Sequence, residues 1–117
     1  MSFYVNYRIK AEGVDEYVPI KEVGNITYNV GKIIRKSTGL EWDSEGNNGL
    51  CIDIIPCIEK GLKELREHTE AYRTLEAPNG WGTVEGTIHF FEKLISAWEE
   101  VKREYPLLVP LATFWID

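Results

Sequence analysis

Phe3, Val5, Tyr7 and Ile9 alternate with Tyr4, Asn6, Arg8 and Lys10 at the start of the chain. A period of two held over this stretch marks a half-buried strand, so the chain must build a sheet with one covered face. That sheet needs partner strands and a cover, and the remaining sequence offers both. Ala11-Glu12-Gly13-Val14-Asp15-Glu16 reads as a turn. Residues 17–23 then form a second strand and close a hairpin. Pro19 has no N–H to give to a ladder, which places this strand at a sheet edge. Residues 111–116, Leu-Ala-Thr-Phe-Trp-Ile, are rich in β-formers and pair most simply with the N-terminal strand.

The centre of the chain is periodic in threes and fours. Asn25 or Thr27 caps a first helix. Ile26, Val30, Ile33 and Ile34 give it an apolar stripe, and Gly39 stops it. Residues 40–49 are polar and read as an exposed loop. A second helix begins near Asp53, with Pro56 in its first turn and Ile55, Ile58, Leu62 and Leu65 inward. Ala77-Pro78-Asn79-Gly80-Trp81-Gly82 breaks the chain, and Thr83 caps the third and longest helix. Val84, Ile88, Phe91, Ile95 and Trp98 recur there at helical spacing, Leu94 and Val101 widen the stripe, and Pro106 ends it. The expected fold is α+β: a small, mainly antiparallel sheet, made of the N-terminal hairpin and the C-terminal strand, packed on three helices. The 117 residues form a single domain, and 44% hydrophobic content is enough for one core.

Several function classes drop out. The net charge of −6 repels duplex DNA, and the one short basic cluster, Lys32, Arg35 and Lys36, reads as the solvated face and last turn of a helix. No nucleic-acid partner is expected. No run approaches the ~20 apolar residues that cross a bilayer, so no membrane partner is expected either. The N-terminus lacks the pattern of a secretory signal, and a cytoplasmic location follows by default. Cys51 and Cys57 lie in apolar company at a spacing unlike a redox or zinc pair and read as buried free thiols.

Catalysis needs a base beside a nucleophile. His68 and His89 are the only imidazoles, and no motif surrounds either. His89, between Ile88 and Phe90, reads as a half-buried helix residue, and His68 as exposed. Glu64 and His68 share a helical face but lack further metal ligands. Neither an enzyme nor a metal or other cofactor is expected.

Two polar-aromatic segments remain: Asn25-Ile26-Thr27-Tyr28-Asn29-Val30 and Pro78-Asn79-Gly80-Trp81-Gly82. Both stand before helices in this reading, where unpaired N–H groups favour anions. Asparagine amides can donate and accept, and Tyr28 and Trp81 offer flat faces for stacking. If the segments meet, Asn25, Thr27, Tyr28, Asn29, Asn79 and Trp81 line a small pocket. The structural alternative has equal weight: the polar residues cap and turn, and Trp81 closes a loop over the core.

These two segments, with Tyr72-Arg73 between them and an amphipathic helix after them, resemble a family of small proteins encoded by bacteriophages, prophages and some bacteria. The likeness covers most of the chain. It departs in the polar 43–49 loop and in the longer apolar ending. The resemblance implies that the two segments work together, and it implies no activity. The sequence thus points to a small non-enzymatic, phage-encoded protein that binds or sequesters a nucleotide-like ligand of host defence signalling. The alternative is an acidic inhibitor that docks on a host defence protein. A homo-oligomer is compatible with both, because Phe114-Trp115-Ile116 could pack on a second copy, although burial in its own sheet is the simpler fate.

Overall fold

A computed structural model describes residues 1–13 and 15–117. Val14, part of the expected turn, lies outside the described residues. The N-terminal hairpin is present, formed by β1 (Ser2–Lys10) and β2 (Tyr17–Thr27). β2 runs further than the sequence suggests. Asn25 and Ile26 are therefore strand residues, with Asn25 opposite Tyr4 and Ile26 opposite Phe3. Ile26 satisfies both periodicities, and pairing with β1 decides in favour of the strand. The ladder slips between Val5 and Asn6 and again between Tyr7 and Arg8.

A 3-10 turn, Tyr28–Val30, leads into α1 (Gly31–Thr38), which stops at Gly39 in a left-handed conformation. The expected 40–49 loop instead contains β3 (Gly46–Leu50). α2 (Cys51–Glu67) follows without a gap, so it starts before Asp53, and Pro56 sits beyond its first turn on the exposed side. No side chain caps α2; the Cys51 N–H donates to the Ala112 carbonyl at 2.9 Å instead. A short α3 (Thr69–Arg73) precedes α4 (Val84–Glu104), capped as expected by Thr83, whose Oγ1 accepts from the Gly86 N–H. A 3-10 turn, Pro106–Leu108, leads to β4 (Thr113–Ile116).

The fold is α+β. Four antiparallel strands lie in the order β2-β1-β4-β3, so the expected pairing of the first and last strands holds, and β3 adds an edge. Phe3, Val5 and Tyr7 of β1 and Phe114 and Ile116 of β4 face the helices and are buried with Ile33, Ile58, Leu65, Phe91 and Leu94. In α4 the inward residues are Val84, Thr87, Phe90, Phe91, Leu94, Ala97, Trp98 and Val101; Ile88 and Ile95 flank the stripe. Trp42, from the segment read as exposed, packs its ring against Phe3, Phe91 and Phe114 with centroids 5.4, 6.4 and 5.5 Å away. The Tyr7 hydroxyl donates to the Leu94 carbonyl at 2.6 Å and so ties the sheet to α4.

On the other face the Arg8 guanidinium lies 4.5 Å from the Trp115 ring centroid, and Trp115 leans on Tyr17. Asp117 accepts from Asn6, Arg8 and the Trp115 indole, which satisfies the buried amide of Asn6. The C-terminal aromatic stretch is thus used within its own sheet. No helix of the described residues is long and apolar enough to cross a membrane.

Candidate functional site

The two polar-aromatic segments meet. Thr27 ends β2, and its Oγ1 accepts from the Asn29 N–H at 3.3 Å, which turns the chain into the 3-10 step. In the second segment the Ala77 carbonyl accepts from the Gly80 N–H at 3.2 Å, and Asn79 Oδ1 accepts from the Trp81 N–H at 3.0 Å. These bonds make a tight turn that pushes the indole outward. Trp81 is 70% exposed, so it does not close over the core.

Gly82 is the point of contact. Its φ is +95°, and a Cβ built there would lie 3.0 Å from Asn29 Cβ, 3.1 Å from Val30 Cγ1 and 3.2 Å from Thr27 Cγ2. The backbone of one segment therefore rests directly on the other, and only glycine permits that approach.

The ends of the 74–83 connection are fastened. Arg73 Nη1 reaches both Glu85 oxygens, at 2.7 and 2.9 Å, and Arg73 Nε reaches Glu70 at 2.9 Å. The hydrogen bond from Arg73 holds the Glu85 carboxyl below its usual range. Glu76 Oε2 accepts from the Val84 N–H at 2.8 Å, closing the first turn of α4.

Asn25, Thr27, Asn29, Asn79 and Trp81 line one surface hollow of about 490 Å³, with Met1 and Ser2 on its rim. Tyr28, the sixth residue expected there, does not join them. Its ring tilts onto Phe3 at 4.5 Å, and it lines a neighbouring hollow of about 670 Å³. Lys32, Arg35, Glu76 and Pro78 line that second hollow as well, and Asn29 borders both. Tyr28, Lys32 and Arg35 are spaced by four and three, so they project from one face of the turn and α1. That spacing is a signal for the second hollow, and it is passed over when Lys32 and Arg35 are read as solvated charges. Lys32 also stands in the first turn of α1, not the last.

Chemically the first hollow offers amides and an exposed ring. The Asn25 and Asn29 side chains make no hydrogen bond within the chain among the described residues, and Asn79 keeps its amide N–H groups free. Neither hollow is lined by a histidine or a cysteine. His89 is exposed on α4, a correction to the half-buried position expected: the helix turns Phe90 and Phe91 inward and His89 out. His68 is exposed as expected. Cys51 and Cys57 are both free; Cys51 is buried, and burial pushes its thiol well above the usual range, whereas Cys57 is only partly covered. Among the described residues no three histidine, cysteine or acidic side chains come together to hold a metal. No family model, curated protein or solved structure matches the chain.

Proposed function

We propose that this chain is a small non-enzymatic binding protein, phage-encoded, that takes a nucleotide-like ligand of host defence signalling in the hollow beside Trp81. The observation that carries the reading is the convergence, through Gly82, of an exposed indole with uncommitted asparagine amides from two distant segments. A flat ring stacks on the indole at a gain of about 1–3 kcal/mol, and Asn25 and Asn29 supply the donors and acceptors that read its edge.

Calorimetric titration with cyclic dinucleotides and ADP-ribose derivatives tests the reading. Binding that disappears in Trp81→Ala supports it. A well-folded sample that gives no heat with any of these compounds overturns it. The second reading, an acidic inhibitor of a host defence protein, draws on the exposed aliphatic side chains of Leu107 and Leu111. A stoichiometric protein partner, retained when Trp81 is replaced, would favour it.

A further inference from the structure

We infer that the second hollow, walled by Tyr28, Lys32 and Arg35, is an anion subsite that receives the phosphate end of the ligand. Only the ring end of that ligand rests on the function proposed above.

Charge placement marks this hollow as favourable to an anion. The chain carries 19 acidic and 13 basic residues, so its average surface repels anions. The second hollow is an exception. Lys32 has no carboxylate within 4 Å among the described residues. Arg35 reaches Glu41 at 3.5 Å, but both side chains are largely exposed, and such a pair contributes little and exchanges readily. The carboxylate that lines the hollow, Glu76, is already engaged by the Val84 N–H at 2.8 Å and by Arg73 at 3.8 Å. Two cations therefore face the space with little to oppose them.

Their geometry suits a phosphate. One turn of α1 separates Lys32 from Arg35 on the same face, and residues 74–78 line the rest of the hollow. Arginine presents a planar fork that matches two phosphate oxygens, and lysine adds a mobile point charge. Asn29 borders both hollows, so a single ligand can extend from Trp81 past Asn29 to Lys32. A nucleotide with one or more phosphates has this layout: a ring at one end and anionic oxygens at the other.

The test is calorimetry at low salt with three probes, adenosine, ADP and inorganic pyrophosphate, on the wild type, K32A/R35A and W81A. All three replaced side chains lie at the surface, and unchanged melting temperatures confirm intact folds. The inference expects pyrophosphate to bind the wild type and W81A alike and to lose about tenfold or more in affinity in K32A/R35A. It also expects ADP to bind the wild type about tenfold more tightly than adenosine. Equal pyrophosphate affinity in wild type and double variant overturns it, and so does the absence of binding by both phosphate-bearing probes. Adenosine binding that depends on Trp81 but gains nothing from added phosphates overturns the subsite and leaves the ring reading standing. Pyrophosphate binding that depends on Lys32 and Arg35, with no nucleoside binding, does the reverse.

Discussion

Gly82→Ala probes the contact on which the candidate site depends. Two costs are expected, and they can be separated. The first is conformational: alanine at φ +95° is strained by about 1–3 kcal/mol. The second is steric. The new methyl would meet Asn29 Cβ at 3.0 Å, Val30 Cγ1 at 3.1 Å and Thr27 Cγ2 at 3.2 Å, and none of these atoms is the free end of a flexible chain. Forcing a methyl into such a space costs about 1–3 kcal/mol. The sum is about 2–6 kcal/mol, a large share of a small domain's stability. Gly80→Ala is the control. Its φ is +77°, but nothing lies within 4 Å of the place a Cβ would take, so only the conformational cost applies. Urea unfolding followed by circular dichroism measures both, with the slope of the transition checked for constancy. Gly82→Ala should fall below Gly80→Ala by at least about 1 kcal/mol. If the two variants unfold at the same urea concentration, the segments do not rest on each other, and the shared hollow loses its basis.

Phe114→Ala should destabilise the fold by about 3–5 kcal/mol in the same assay, because its fully buried ring contacts those of Tyr7 and Trp42. Trp81→Ala should leave the melting temperature within about 3 °C of the wild type, since the mostly exposed indole supports little packing. Burial raises the pKa of Cys51 and Tyr7 well above their ordinary values of 9.0 and 10.0. The unfolded chain ionises these groups and the folded chain does not, so their contribution is whole below the ordinary thiol value and is lost as the pH climbs. Stability should drop by about 2 kcal/mol between pH 8 and pH 10, with most of the drop abolished in Cys51→Ala. Alkylation at pH 8 followed by mass spectrometry should label Cys57 and spare Cys51 until urea is added.

The first strand and the start of the longest helix are legible because their signals are local. Phe3, Val5 and Tyr7 keep strict alternation, and Thr83 announces α4 by its own hydroxyl. β3 is hidden for the opposite reason. Gly-Asn-Asn-Gly-Leu has no apolar alternation and owes its extended form to β4, with the Asn48 side chain bridging Asp43 and Gly46. The start of α2 is misplaced by sequence because Asp53 is the obvious cap there, whereas the first N–H is met by Ala112, which lies far along the chain. Trp42 sits among acidic and polar neighbours that suggest exposure, and only the tertiary arrangement shows the aromatic cluster that takes it. In the candidate site, the types of side chain are readable from the two motifs. That Tyr28 turns to the far side of Asn29 is not, because it depends on where Phe3 stands.

The order of the sheet has a consequence for how the molecule comes into being. β1 waits beside β2 for a neighbour that is made only after α4, since Val5 lies opposite Ile116. β3 has no neighbour at all until that same strand emerges. A chain leaving the ribosome can zip its first hairpin, wind its helices and lay them over the apolar side of that hairpin, yet the free edge of β1 stays unpaired until synthesis reaches residues 113–116. The sheet is therefore completed late, by one strand that pairs with both of its neighbours and brings together segments far apart in the chain.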